Sequence, residues 1–281
     1  MPDIPRTAAP RASAALPLVQ RIQPGTSVDL SAIDPAAPAE FSRKDAEAAL
    51  AEERQRIHEL QERLYAESRR GLLVVLQAMD TGGKDGVVKH VFSCVNPQGC
   101  RVWAFKTPTE EELAHDFLWR YHRRTPARGM IALFNRSHYE DVLIVRVKQL
   151  VPEAVWRERY AQINDFERML TQNDVTLLKL FLHISKDEQR RRLKKRLNDP
   201  EKRWKFSPDD VRDRALWDDY QRAYADALTR CSTPHAPWHV VPADRKWFRN
   251  LAVARAVADT LAAMGPQFPT APAGLEEVVV E

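Results

Sequence analysis

The sequence predicts an α/β domain of three layers, a parallel five-stranded sheet with helices on both faces and a basic helical lid at one end. Three observations predict it. Short runs that are apolar on both faces recur at residues 72–76, 101–105, 130–134, 177–184 and 238–241. Long polar segments with helical period lie between them, notably 110–123 and 155–170. A glycine-rich turn followed by a lysine comes directly after the first run. Strands buried on both faces and alternating with helices belong to parallel sheets covered on both sides.

Size and composition agree with that architecture. The 281 residues, 44% hydrophobic and 29% charged, are enough to bury a full core and are not the composition of a disordered chain. No apolar run reaches the roughly 20 residues of a membrane-spanning helix. Residues 1–40 are rich in Ala and Pro without sustained period, which predicts an extended arm packed on the domain. Within the arm, Arg6, Arg11 and a short apolar stretch broken by Pro17 do not add up to a secretory signal. The spacing of Cys94, Cys100 and Cys231 suits neither a metal site nor a disulfide framework, so reduced thiols in a cytoplasmic protein are expected.

Ser42 and Asp45 resemble a capping box, and Leu50, Ile57, Leu60 and Leu64 follow at helical spacing. They predict a helix over about 45–68, ended near Gly71. A domain over 41–265 then runs to a last helix at 247–264. The tail, 266–281, is Pro-rich and then apolar-acidic, and is expected on the surface.

The first strand leads into Ala78-Met79-Asp80-Thr81-Gly82-Gly83-Lys84-Asp85. A phosphate-binding loop needs a buried strand, a turn whose backbone N–H groups face inward, and a lysine at the start of a helix. Gly82 and Gly83 supply the turn, Lys84 the amine, and Val87, Val88, Val91 and Phe92 the apolar face of the helix. Two positions depart from the usual pattern: Ala78 replaces a glycine, and Asp85 replaces the Ser or Thr that normally touches Mg²⁺. With Asp80 this places two carboxylates beside a polyanion, an arrangement that makes sense with Mg²⁺ between them. A Gly-Gly-Lys turn alone is a common strand-to-helix connection; the flanking strand and helix lift it above that.

The run 130–134 ends in Asn135 and Arg136, at the edge where open α/β sheets bind ligands. Arg136 can neutralise phosphoryl charge with a bidentate fork, although its local sequence suits a surface loop equally. Residues 186–205 hold ten basic and four acidic side chains in a chain of net charge +4, so the remainder is slightly acidic. Ser185 and Glu188 form a capping box, and Gln189, Arg192 and Arg196 fall on one helical face. Charged helical faces are usually just solvated. One dominant sign directly after a core strand instead suggests a lid, over about 185–210, closing on a transferring phosphoryl group. Its charge suits a long polyanion.

These segments resemble the polyphosphate kinase 2 family, specifically its class III branch. The matching pieces are Leu76 through Gly86, Val95-Asn96-Pro97-Gln98-Gly99, Lys106-Thr107-Pro108-Thr109-Glu110-Glu111, Phe134 through Asp141, and Asn198 through Lys205. The resemblance covers nearly everything from about residue 20 onward. It implies a P-loop kinase-like fold and a reversible, Mg²⁺-dependent transfer of the terminal phosphoryl group of inorganic polyphosphate to AMP and ADP, with Mn²⁺ able to substitute. GDP and GMP are further candidate acceptors, and a homo-oligomer is expected. Asp80 and Lys84 match the family's loop residues, Asn135 and Arg136 its second strand end, and Arg192 and Arg196 its lid arginines. Other branches carry Asp where Asn135 stands, which shifts metal binding toward Asp80, with Asp85 as a weaker second ligand. The expected chain-holding set is Gly82, Gly83, Lys84, Asp85, Arg192, Arg196, Lys202 and Lys205.

Two rival readings remain at this stage. One is an ATP-dependent nucleotide kinase of the thymidylate kinase type. The other is a nucleic-acid-binding protein, weakened because no aromatic platform interleaves with the arginines. Trp204, Trp217 and Tyr220 read as packing at the base of the lid, and His183, His239, Cys94 and Cys100 as core. His115 and Asp116 suit either a nucleotide contact or a solvent-facing helix. Apolar residues on the first helix are a candidate self-association face.

Overall fold

The strands form where the chain is apolar on both faces. In this computed structural model, residues 18–36, 38, 40–275, 278 and 280 are described. Residues 1–17, expected to form the start of an extended arm and not a secretory signal, lie outside them. The strands are β1 (Gln20–Arg21), β2 (Gly71–Gln77), β3 (Cys100–Ala104), β4 (Ile131–Asn135), β5 (Val175–His183) and β6 (Trp238–Pro242). They lie in the order β1-β6-β5-β2-β4-β3. The five strands β2 to β6 are mutually parallel.

The expected count of five strands is corrected to six by β1, which comes from the arm and pairs antiparallel with β6 through Gln20–Val240 and Arg21–His239. The physical reason is edge protection. Without β1, β6 would leave a row of backbone N–H and C=O groups unpaired. The Ile22 N–H continues the pairing with a 2.8 Å bond to the Trp238 carbonyl, while Leu18 and Ile22 bury their side chains.

On one face of the sheet α1 (Arg43–Glu67) packs along α10 (Lys246–Met264), which also meets α2 (Lys84–Val91). Helix α1 buries Ile57 and Leu64 completely, each worth roughly 1.5–3 kcal/mol. That apolar stripe, expected to be free for self-association, is therefore covered within the chain. Ser42 accepts the Asp45 N–H at 3.1 Å, but Asp45 takes the Ser42 hydroxyl at 2.6 Å instead of a backbone N–H, so only half of the capping box forms.

The segment expected as one helix over 110–123 is two short ones, α3 (Glu110–Leu113) and α4 (Trp119–His122). Asp116 interrupts it by accepting the N–H groups of Leu118 at 2.9 Å and Trp119 at 3.1 Å, which starts a new turn. His115 stacks edge-on against Trp119, 4.0 Å between ring centroids. On the other face lie α5 (Ile144–Val147), α6 (Glu153–Gln172) and α9 (Trp217–Cys231). The basic stretch forms α7 (Lys186–Asn198), a turn at Arg203–Lys205, and α8 (Pro208–Ala215). No helix among the described residues is long and apolar enough to cross a membrane. Beyond Gly265, whose φ of +61° ends α10, the described tail is mostly exposed.

Candidate active site

Strand β2, buried along its whole length, delivers the chain to the carboxyl edge of the sheet, and residues 78–83 turn it into α2. The Gly82 N–H donates to the Met79 carbonyl at 2.9 Å, and a Cβ on Gly82 would lie 2.8 Å from that same oxygen. Gly83 is the α2 N-cap with φ +105°, a conformation open to glycine at little cost. It provides no side-chain cap, so the first N–H groups of α2 face the loop and give it positive potential.

Lys84 is only 9% exposed, and its ammonium donates to the carbonyls of Ala78 at 2.8 Å and Met79 at 3.4 Å. Burial, reinforced by the nearby Arg136, pulls its pKa down to about 8 against the pull of Asp80, Glu140 and Asp85. An amine so poorly solvated gains from an anion placed beside it.

Strand β4 ends beside the loop. Arg136 adopts φ +65°, unusual for a residue with a side chain, and its N–H donates to the Leu76 carbonyl at 3.1 Å. Its guanidinium bonds Asp80 Oδ1 at 2.8 Å and approaches Glu140 at 3.5 Å. The charge of Glu140, then that of Asp80, holds Arg136 firmly protonated despite burial. Gln77, the last residue of β2, donates to Glu140 at 3.1 Å and fixes that carboxylate.

Asp85 Oδ1 accepts from Asn135 at 2.9 Å and Oδ2 from Lys205 at 3.1 Å. Burial alone would raise this carboxyl. The hydrogen bonds from Asn135 and Lys205, with the charges of Lys205 and Lys84, bring it below its ordinary value. The phosphate loop, the second strand end and the lid therefore meet at one side chain.

Of the α7 face expected to turn toward the loop, Gln189 and Arg192 reach it and Arg196 does not. Gln189 donates to the Asp80 carbonyl at 3.2 Å. Arg192 is 7% exposed and donates to Glu188 at 2.6 Å, the Thr81 carbonyl at 2.9 Å and the Ala243 carbonyl at 2.6 Å. Its fork braces the loop from behind and is not left open for a substrate. Glu188, half of the expected capping box, is drawn off by Arg191 and Arg192, and Asp244 accepts the Ser185 N–H in its place at 2.8 Å. Arg196 reaches Asp210 at 3.2 Å, and exposed Lys202 pairs with Asp199.

Trp204 corrects the packing expectation. It is 77% exposed, with the Lys205 ammonium 5.1 Å from its ring centroid, because the Arg203–Lys205 turn points it away from the domain. Trp217 and Tyr220 are buried at 7% each. Tyr220 nevertheless joins Tyr224, Met79, Asp80, Arg136, Glu140, Ile144 and Asp213 in lining a pocket beside the loop. Sequence reasoning missed Glu140 and Asp213 there. Glu140 had one usable signal, its position four residues after Arg136; Asp213, on α8 and paired with Lys148 at 2.7 Å, had none.

As for a metal ion, no group of three or more His, Cys, Asp or Glu side chains forms a ready cage among the described residues. The protein occupies both oxygens of Asp85 but only Oδ1 of Asp80. One available carboxylate oxygen, with the remaining positions filled by phosphate and water, is how Mg²⁺ is usually held. The donor set fits an ion that arrives with its phosphates.

Residues 40–269 match the profile of the family described as Polyphosphate kinase 2. Among curated relatives, the chain is similar to the AMP/ADP-polyphosphate phosphotransferase of Meiothermus ruber, 51% identical over 263 residues that cover 93% of this chain and 98% of the relative. It is also 45% identical over 238 residues to the ADP-polyphosphate phosphotransferase of Rhodopseudomonas palustris, covering 80% and 82% of the two chains. Among solved structures, the crystal structure of polyphosphate kinase 2 from Arthrobacter aurescens superposes with a TM-score of 0.87 at 45% identity, covering 91% of this chain and 93% of that one.

Proposed function

The chain belongs to the polyphosphate kinase 2 family, and on that premise we propose that it moves the terminal phosphoryl group of inorganic polyphosphate onto nucleoside mono- and diphosphates, reversibly and with Mg²⁺. AMP becomes ADP and ADP becomes ATP. The observation that carries the reading is the meeting of buried Lys84 and the Asp80–Arg136 pair with a lid tied to the same loop through Lys205 and Asp85.

The chemistry is a displacement at phosphorus. A phosphate oxygen of the acceptor forms a bond to the terminal phosphorus as the bridging P–O bond of the chain breaks, and the shortened chain leaves with the electron pair. The attacking oxygen is already anionic, so no enzyme base and no covalent enzyme intermediate are needed. Catalysis is alignment and charge neutralisation. Lys84, Arg136 and the N–H of Gly83 hold the reacting phosphates, while Asn135 keeps Asp85 in place. The Gly82 N–H, expected to join them, is spent on the Met79 carbonyl and shapes the turn. Arg196, Lys202 and Lys205 border the path of the polyphosphate chain, and Arg192 keeps the loop in shape. The ion, held by Asp80, supplies additional neutralisation of the phosphate oxygens when bound.

The same proposal assigns 41–265 to the kinase domain with 185–210 as its lid, and places the enzyme in the cytoplasm, where free Cys94, Cys100 and Cys231 stay reduced. A homo-oligomer is part of it, supported by the edge of β3, which pairs with no further strand among the described residues and where Val102 is 45% exposed. Supplying ADP and polyphosphate without ATP tests the reading. The wild-type protein makes ATP, and Lys84→Ala or Asp80→Asn lowers the rate by roughly 10²–10³-fold with an unchanged circular dichroism spectrum. Retained activity in both variants sinks the role of the loop. A wild-type protein that makes no ATP, yet phosphorylates nucleotides from ATP, supports the thymidylate kinase type instead.

A further inference from the structure

Arg249, in the first turns of α10, is 2% exposed. A buried guanidinium ordinarily has a carboxylate partner, because desolvating an unpaired charge costs several kcal/mol. Among the described residues Arg249 forms no ion pair; its side chain donates only to Asn250 Oδ1, from Nε at 3.2 Å and Nη2 at 2.7 Å. Burial, reinforced by the charge of another cation, Arg192, pulls the Arg249 pKa down to about 10.

The position sharpens the anomaly. The guanidinium packs against the first turn of α2, where the phosphate loop ends. A methyl group at Gly83 would overlap its Nη1, and one at Gly86 would lie 2.8 Å from its Nη2. Both glycines thus have a second reason to be glycine. A cation at a helix N-terminus opposes the helix dipole. Here it sits against the N-terminal turn of α2, which has no side-chain cap, near buried Arg192. Arg192 has Glu188 at 2.6 Å, whereas among the described residues no carboxylate pairs with Arg249.

We propose that the missing counter-charge is the substrate: Arg249 is a positioning residue that raises the positive potential of the phosphate loop through the backbone of Gly83 and Gly86, and the bound phosphate chain is its counter-ion. This rests on the loop being the phosphate site. The residue touches no substrate; it acts through the N–H groups of α2, which bind a highly charged chain more tightly with the guanidinium behind them. Arg249 is a burden to the free protein and an asset to the complex.

A purely structural brace would behave in the opposite way. Thermal unfolding of wild type, Arg249→Met and Arg249→Lys is measured alone and with inorganic tripolyphosphate, alongside KM for polyphosphate and for ADP. Arg249→Met is expected to melt no lower than wild type alone, to lose most of the tripolyphosphate-induced rise, and to raise KM for polyphosphate about tenfold with less effect on ADP. Arg249→Lys should keep part of the ligand-induced rise. A tripolyphosphate-induced rise in Arg249→Met or Arg249→Lys equal to wild type overturns the inference, whatever the melting point alone. If the wild-type protein itself shows no rise, the reading of the loop fails first. Should Arg249→Met not fold, the Arg249→Lys comparison decides alone: a full rise overturns the inference and a reduced one supports it.

Discussion

Two clusters of charge lie in this molecule, one under the sheet and one at its carboxyl edge, and they are built on opposite principles. Under the sheet, Lys179 in β5 is fully buried and spends its three donors on Glu167 at 2.6 Å, Tyr139 Oη at 2.8 Å and the Cys231 carbonyl at 2.6 Å. Glu167 also takes the Tyr139 hydroxyl at 2.8 Å and His138 Nε2 at 3.1 Å. Burial would raise Glu167 and does lower His138; the Lys179 charge and the His138 hydrogen bond bring Glu167 below its ordinary value. Positive and negative charge balance inside the protein, so the cluster needs nothing from outside. At the carboxyl edge, by contrast, Lys84 and Arg249 are buried without an ion pair among the described residues, while the carboxylates around Lys84, Asp80 and Asp85, remain partly exposed. A closed cluster serves the fold; an open one serves a ligand. The closed cluster also serves the site indirectly, because His138 and Tyr139 anchor the turn that presents Arg136 and Glu140.

Breaking the closed cluster gives the largest expected effect on stability. Lys179→Met leaves Glu167 buried without its counter-charge and is expected to cost about 3–5 kcal/mol. Urea unfolding measures it. A loss below 1 kcal/mol would mean that this cluster is not closed in the sense described. Lys84→Met, the matched change in the open cluster, should not destabilise the ligand-free protein, because the charged amine it removes is disfavoured there.

The two clusters also differ in how far the sequence announces them. The parallel strands were legible because β2, β4 and β5 are apolar on both faces, and the phosphate loop because its residues are contiguous. Strand β1 was not, since two residues of ordinary polarity take their conformation from the edge of β6. Lys179 sits inside an apolar run, and its partners lie 12, 40 and 52 residues away. Arg249 is one more basic residue on a helix until α10 docks against α2. Arg192 was legible as a residue facing the loop but not as a brace, because its acceptors are backbone carbonyls, which carry no side-chain signature. Trp204 was misread for the same kind of reason: aromatic character predicts burial, and a single turn of backbone reverses it.

The next effect concerns pH and separates the clusters again. Lys84 is lowered from 10.5 to about 8, which corresponds to about 3 kcal/mol at roughly 1.4 kcal/mol per unit. The sign follows from the folded state preferring the neutral amine. The penalty is fully present below pH 8 and is relieved as pH rises from 8 to 10.5, so this group makes the ligand-free protein more stable on that limb. Phosphate binding needs the charged amine and runs the other way. Tripolyphosphate affinity is expected to fall by up to tenfold per pH unit above 8, and titration calorimetry across pH 7–10 should show proton uptake on binding. Affinity that stays flat to pH 10 in the wild type would remove Lys84 from the list of groups that meet the chain.

The smallest effect belongs to the pair at the rim of the open cluster. Lys205 and Asp85 are 3.1 Å apart with side chains 39% and 68% exposed, so solvent screens them and the pair is worth no more than about 0.2–1 kcal/mol. Lys205→Ala should therefore leave the unfolding midpoint nearly unchanged. Its effect should instead follow the ligand, because the ammonium that now rests on Asp85 is an exposed lid cation beside the loop. KM for polyphosphate is expected to rise about two- to fivefold, more at low than at high salt, with KM for ADP unchanged. A rise of equal size for both substrates would make the contact a latch between lid and loop that serves any ligand, and the open cluster would then end at Lys84 and Arg136.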